Sequence, residues 1–180
     1  MNDFILNTKI NNSLFHEINK IYDLKNLNKA KKIILNNKKF INFIKSCEKK
    51  IKNKKIKGII ISFSKDNSIS PKLMTVITET VSNILGNLLP QNKDNEELIF
   101  VYDRNRNLSM HKGSRYHQTR EGGSIHTDNV NINFRWDYMI LSCLSSPEIG
   151  GENIFVSGDV VYSRLKKFKI ALNTLKKKFI

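Results

Sequence analysis

The sequence predicts an α+β fold in which helices come first and strands follow. Residues 10–35 and 37–52 carry apolar side chains at helical spacing, while lysines occupy much of the remaining surface. The run IIISF at 59–63 is short, continuous and β-branched, which is typical of a buried strand. Further apolar runs of this kind follow, separated by polar and glycine-containing turns. We therefore expect an N-terminal helical region at 1–56 and a strand-rich region at 57–180.

The second region is predicted to contain an internal helix, several strands and a closing helix. Ser70 and Pro71 form a typical helix start, a capping hydroxyl followed by proline at the first helical position, and the apolar pattern continues to residue 88. Asp159 can cap the closing helix. Strands are predicted for LIFVY at 98–102, WDYMILSCL at 136–144 and NIFVSG at 153–158.

The net charge does not by itself predict a nucleic-acid-binding protein. The chain carries +15, of which residues 1–57 contribute +11 and residues 158–180 contribute +6, while the stretch between them contributes −2. The excess is nearly all lysine mixed with asparagine, and arginine, whose planar fork suits phosphates and bases, is scarce. Composition therefore argues against nucleic acid as a partner, and a basic nucleic-acid-associated protein stays as the weaker alternative.

The sequence also predicts a cytoplasmic protein with no membrane partner. The N-terminal MNDFILNTK lacks the basic and apolar regions of a signal peptide, and no run of about 18 apolar residues occurs. Cys47 and Cys143 lie far apart and form no C-x-x-C pattern. We expect both to be buried thiols in a reducing compartment.

The polar stretch 103–135 holds the candidate site. In GGSIHTDN, one residue separates His126 from Asp128, and side chains at this spacing point to the same face of a strand. The pair could be a surface hydrogen bond or two ligands of one metal ion. Two histidines and one carboxylate hold Fe(II) in many oxygenases, so His-x-Asp would supply two of the three ligands.

The segments around this pair resemble one protein family. SIHTDNVN, WDYMILSCL, PEIGGENIFVSG and VVYSRL follow one another in the family's order and spacing, after SPKLMTVITETVSNILGNLLPQ and LIFVYDR. Residues 57–167 thus resemble the TauD/TfdA group of Fe(II)/2-oxoglutarate-dependent dioxygenases, with the clavaminate-synthase-like fold. The resemblance implies a partial double-stranded β-helix (jelly roll) with its late strands missing. It also implies an oxidoreductase that uses Fe(II), 2-oxoglutarate and O₂ to hydroxylate or oxidise a small metabolite.

The resemblance further implies roles for individual residues. His126 and Asp128 match the first two iron ligands. Asn153 stands where the family usually has a Thr or Ser hydroxyl that contacts 2-oxoglutarate, and an asparagine can still donate a hydrogen bond there. The segment RYHQTREGG matches the part that shapes the substrate pocket. Its candidate pocket residues are His117, Gln118 and Arg120.

Two residues that the family requires are missing. The distal histidine ligand has no counterpart, because no histidine follows Asp128, and Arg164 comes too early to anchor 2-oxoglutarate. We therefore expect the chain to be the N-terminal part of such an enzyme and to turn over 2-oxoglutarate poorly alone. We also expect self-association through open sheet edges. The alternative is a catalytically inactive remnant or binding module.

Overall fold

The computed structural model describes residues 5–10, 12–19, 26–53, 56–63, 69–104, 109–114, 118–119, 121–128 and 136–177. The described residues form an α+β architecture, as the sequence predicts. The elements in chain order are β1 (Ile5–Lys9), α1 (Asn12–Asn19), α2 (Leu27–Asn36), α3 (Lys38–Lys52), β2 (Gly58–Ser62), α4 (Pro71–Leu85), α5 (Gly158–Leu165) and α6 (Lys169–Leu175). A 3₁₀ turn at Met110–Lys112 lies between α4 and α5.

The sheet in the described residues is a parallel pair, β1 and β2, with Ile5 opposite Gly58 and Lys9 opposite Ser62. The three helices α1 to α3 form the long connection that a parallel pair requires. β2 confirms the strand predicted from IIISF. β1 was not predicted from the sequence, because ILNTK is short and carries little apolar pattern of its own.

Asparagine and serine side chains determine where the helices begin. Asn26 caps α2 by accepting from the Lys29 amide at 3.1 Å. Asn37 ends α2 by donating its N–H to the Ile34 carbonyl, and it caps α3 because its side chain accepts from Phe40 N at 3.0 Å. This dual role explains why α3 begins one residue after α2.

The predicted internal helix is confirmed as α4. The Ser70 hydroxyl accepts from the Leu73 amide at 3.2 Å, and Pro71 occupies the first turn. The helix ends at Leu85, before the predicted residue 88, and Gly86 follows it. The closing helix is also present, divided into α5 and α6. Ser157 precedes its first residue and Asp159 lies within its first turn, so the prediction that Asp159 caps this helix is wrong.

The hydrophobic core lies in the N-terminal part of the described chain. Helices α2, α3 and α4 pack against one another, and α3 also contacts β2. All of the buried apolar side chains in the described residues fall between positions 10 and 77: Ile10, Leu14, Ile18, Ala30, Ile34, Phe40, Ile44, Cys47, Leu73, Val76 and Ile77. The core therefore joins residues from both of the regions predicted from the sequence.

Three predicted strands do not form. The segments 98–102, 136–144 and 153–158 have no strand structure, so these predictions are wrong, and the described residues show no jelly roll. A strand needs a partner with which to exchange backbone hydrogen bonds, and its own composition cannot supply one. In the first of these segments, Phe100, Val101 and Tyr102 are instead exposed.

The remaining predictions concern the cysteines and the membrane. Cys47 is buried, and its burial raises the pKa of the thiol. Cys143 is exposed, so the prediction of two buried thiols is wrong for this residue. None of the described helices is long and apolar enough to cross a bilayer.

Candidate metal centre

His126 and Asp128 lie side by side in the structure. Nε2 of His126 is 3.3 Å from Oδ1 of Asp128, and the two side chains are 45% and 32% exposed. The backbone at 121–128 is irregular rather than a strand, so the predicted strand edge is wrong. The loop nevertheless brings the two groups to one side of the chain.

The backbone determines which imidazole nitrogen faces Asp128. Nδ1 of His126 lies 2.5 Å from the Ser124 carbonyl oxygen. Because a carbonyl oxygen only accepts, Nδ1 carries the proton in this bond. In a neutral imidazole, Nε2 then presents its lone pair to the carboxylate. Ligating histidines in metal sites commonly donate their second nitrogen to a backbone carbonyl in this way.

The pair is suited to holding a positive charge. A lone pair on Nε2 and a carboxylate oxygen repel each other at 3.3 Å unless a proton or a cation lies between them. Two ligands about 2.1 Å from one ion and at right angles are about 3 Å apart in octahedral coordination. An imidazole and a carboxylate are also donors that Fe(II) accepts. The two residues therefore fit two neighbouring ligand positions of such an ion.

Hydrogen bonds hold the segment that leads into this pair. The amide of Glu121 donates to the buried Thr119 hydroxyl at 3.1 Å. The Glu121 carboxylate accepts from the Met110 amide at 2.6 Å. Just before it, the Gln118 carbonyl accepts from the Arg104 amide at 3.2 Å. The roles of Thr119 and Met110 were not predicted from the sequence, and neither residue belongs to a pattern that would have revealed them.

The other predicted site residues make no described contact with His126 or Asp128. Gln118 is half-buried, and its described bond uses only the backbone carbonyl. Asn153 is exposed, two residues after Gly151, whose φ of +78° is a left-handed conformation that suits glycine. His117 and Arg120 lie outside the described residues. In the described part of the chain, no group of three or more His, Cys, Asp or Glu side chains could hold a metal.

The segment that follows the site is anchored to the helical core. The Ser142 and Thr78 hydroxyls share a hydrogen bond of 2.6 Å, and the Tyr138 hydroxyl donates to Glu48 at 3.5 Å. Glu48 also pairs with Lys52 at 2.6 Å and with Lys45 at 3.1 Å. The hydrogen bonds from these two lysines hold the pKa of Glu48 below its ordinary value, and the bond from Lys52 has the larger effect.

A histidine and an aspartate 3.3 Å apart are a pair of side chains that could supply two ligands to a metal ion. Comparison with known families identifies the class of protein. The family model described as "Taurine catabolism dioxygenase TauD, TfdA family" matches residues 72–177, more than half of the chain. The chain belongs to the TauD/TfdA family. Comparisons with curated proteins and with solved structures find no match.

The family match covers the candidate metal centre and most of α4. It continues through α5 and ends in the turn after α6. Members of this family are dioxygenases and typically depend on Fe(II) and 2-oxoglutarate. The match therefore indicates a dioxygenase-like function. The elements from β1 to β2 lie outside it, and among these α1, α2 and α3 supply most of the buried core.

Proposed function

We propose that this chain acts as a TauD/TfdA-type dioxygenase that depends on Fe(II) and 2-oxoglutarate and oxidises a small molecule. The observation that carries the proposal is the His126–Asp128 pair within the matched residues, with Nε2 and Oδ1 3.3 Å apart. The Ser124 carbonyl supports it, because the bond to Nδ1 leaves Nε2 as the nitrogen available to a cation.

Each residue of the site has a proposed role. His126 and Asp128 hold the metal, and Ser124 fixes the orientation of the imidazole. Asn153 donates a hydrogen bond to 2-oxoglutarate. Gln118 lines the substrate pocket, together with His117 and Arg120. When bound, the iron and 2-oxoglutarate supply the O₂-dependent oxidation of an unreactive C–H bond.

The proposed function also implies a fold for the matched residues and a chemical class of substrate. We propose that the matched residues belong to a jelly roll, the fold that membership of the TauD/TfdA family implies. The polar character of 103–135 and the guanidinium of Arg120 suit a small polar or anionic metabolite. Both the substrate and O₂ would reach the metal from the exposed side of the His126–Asp128 pair.

A second candidate function is a metal-binding module without turnover. It is favoured by the count of ligands, because the described residues contain no group of three metal-binding side chains. The considerable exposure of His126 and Asp128 also leaves water free to compete for the metal. Metal binding and 2-oxoglutarate turnover therefore have to be measured separately.

Metal binding is tested by titrating the 180-residue chain with Fe(II) under anaerobic conditions in a calorimeter. We expect His126→Ala and Asp128→Ala each to weaken Fe(II) binding by about tenfold or more, because each removes one of two ligands. His16→Ala removes an exposed histidine of α1 and serves as the control with unchanged affinity. Unchanged binding in His126→Ala would refute the proposed site.

Turnover is tested by measuring succinate formed from 2-oxoglutarate in the presence of Fe(II) and O₂. The proposal predicts slow succinate formation by this chain, lost in His126→Ala. Metal binding with no succinate at all would support the second candidate function. Rapid succinate formation would contradict the prediction of poor turnover. His111 and His117, the two histidines that shortly precede His126, would then be replaced in turn to test whether either supplies a third ligand.

A further inference from the structure

The outward side of α3 is a continuous surface of lysines. On a helix of 3.6 residues per turn, positions 38, 45, 49 and 52 lie within about 60° of one another, and positions 39 and 50 lie about a third of a turn away, on the flank of the same exposed side. All of these lysines are exposed. We call this set the lysine face of α3: Lys38, Lys39, Lys45, Lys49, Lys50 and Lys52.

Packing of the opposite side holds this face toward solvent. Phe40 and Ile44 are 0% and 1% exposed in the core, and Cys47 is 5% exposed. Through these residues α3 packs on α2 and α4, so the helix cannot turn without exposing them. The lysines are therefore presented by a fixed scaffold rather than by a mobile tail.

Few acidic groups neutralise the face. Glu17 pairs with Lys39 at 2.7 Å, and Glu48 pairs with Lys45 and Lys52. Glu48 has the largest effect in raising the pKa of Lys52, and Asp137 is near enough to that lysine to help raise it. In the described part of the chain, no ion pair is formed by the three remaining lysines, Lys38, Lys49 and Lys50. The face keeps a strong positive potential that attracts a polyanion.

We propose that the lysine face of α3 binds the phosphate backbone of double-stranded nucleic acid without reading its sequence. The 15 residues of α3 give a helix of about 22 Å at about 1.5 Å per residue. A DNA duplex presents one charge per about 1.7 Å, so several phosphates lie within this length. Asn42 is exposed among the lysines, and its side-chain amide can donate to a phosphate oxygen.

The composition of the face distinguishes this partner from other polyanions. Throughout α3, all of which the structure describes, no large apolar side chain is exposed, so nothing can insert into a lipid surface. The face has no aromatic group on which single-stranded bases could stack. It also has no arginine for reading base edges.

The structure alters the earlier argument from composition. Overall composition argues against nucleic acid because lysine excess without arginine is a weak signal. The structure places six of those lysines on one packed helix, where they act together. The scarcity of arginine then predicts that the lysine face binds nucleic acid without sequence preference. It does not predict that binding is absent.

The test is fluorescence anisotropy with the full chain and a labelled 20-base-pair DNA duplex, between 50 and 200 mM KCl. Binding should weaken steeply with salt and should be similar for two duplexes of unrelated sequence. The triple variant Lys38→Gln, Lys49→Gln and Lys50→Gln keeps the ion pairs of Glu17 and Glu48. We expect it to raise the Kd by about tenfold or more, and to reduce the slope of log K against log salt by about 2.7.

The matched control removes the same charge from dispersed exposed positions, as Lys72→Gln, Lys93→Gln and Lys112→Gln. It should bind within about twofold of the unaltered chain. If both triple variants weaken DNA binding equally, binding depends on the net charge of the chain and not on the lysine face of α3. That result would overturn the proposal. Binding to vesicles of anionic lipid with no binding to the duplex would overturn it in favour of a membrane.

Discussion

The hydroxyl of Thr78 on α4 shares a hydrogen bond of 2.6 Å with the hydroxyl of Ser142. This bond joins a helix of the buried core to the segment that follows the candidate metal centre. Tyr138 reaches Glu48 of α3 from the same segment. The segment 136–144 is therefore held against the helices by side chains, although it forms no strand.

The first prediction concerns this bond. Thr78→Val and Ser142→Ala should each destabilise the chain by about 1 kcal/mol, because each removes the hydrogen bond between the two hydroxyls, and Thr78→Val also removes the bond from the Thr78 hydroxyl to the Met74 carbonyl. In the double variant, the two effects should not add, with a coupling free energy of about 0.5–1.5 kcal/mol. Urea unfolding of all four proteins measures this coupling.

The control for this cycle is Thr75→Ala. The Thr75 hydroxyl is exposed and bonds only to the Pro71 carbonyl of its own helix among the described contacts. Combined with Ser142→Ala, its effect should be additive within about 0.3–0.5 kcal/mol. Full additivity of Thr78→Val with Ser142→Ala would mean that the two hydroxyls do not interact in solution.

The second prediction concerns the acid stability of the helical core. Glu48 has a pKa below its ordinary value because Lys52, then Lys45, donate hydrogen bonds to its carboxylate. A lowered folded-state pKa means that the unfolded chain binds the proton more tightly. The stabilisation is therefore present above the unfolded pKa and is lost as the pH falls through the folded pKa.

Glu48→Gln should accordingly lower the free energy of unfolding near neutral pH and flatten its decline below about pH 4.5, the ordinary value for this carboxyl. Urea unfolding between pH 3 and 7 measures both effects. Glu97→Gln, at an exposed position in a loop, is the matched control and should keep the parent profile. An unchanged acid limb in Glu48→Gln would show that other groups control the acid sensitivity.

An element could be predicted from the sequence when the residues that determine it are local to that element. The start of α4 was predictable because Ser70 and Pro71 act locally on the first turn. The segments 98–102, 136–144 and 153–158 were predicted as strands from composition, and the structure shows none. Strand formation depends on a partner elsewhere, and no local pattern encodes that partner.

The candidate site also combines features that the local sequence predicts with features that depend on how the chain folds. The spacing of His126 and Asp128 was sufficient to predict that they are neighbours, although the strand invoked for it is absent. The carbonyl of Ser124 that fixes the imidazole was not predictable, because any residue supplies a carbonyl. The ties from Glu121 to Met110 likewise depend on how the loop folds back.

The third prediction concerns self-association. Several large apolar side chains in the matched residues are exposed, among them Ile149, Ile154 and Ile170 at 93%, 78% and 86%. Exposed apolar surface of this extent favours association. Analytical ultracentrifugation should show a sedimentation coefficient that rises with concentration. Ile149→Ser with Ile154→Ser should reduce this rise, whereas Leu27→Ser on α2 should leave it unchanged. A strictly monomeric parent chain would contradict the prediction.

The last prediction compares two phenylalanines, Phe40 at 0% exposure and Phe155 at 50%. Phe40→Ala should cost about 3–5 kcal/mol, because it removes a fully buried ring and leaves a cavity between packed helices. Phe155→Ala should change stability by no more than about 0.5 kcal/mol, since its ring is half in water already. Urea unfolding followed by circular dichroism measures both. If Phe40→Ala does not fold, the same comparison can be made between Ile44→Val, at a buried position, and Ile154→Val, at an exposed position. We expect Ile44→Val to lower the free energy of unfolding by about 0.5–1.5 kcal/mol. Equal losses at the two sites would mean that residues 153–158 are buried in solution, and that the stable core extends into the part of the chain that holds the metal centre.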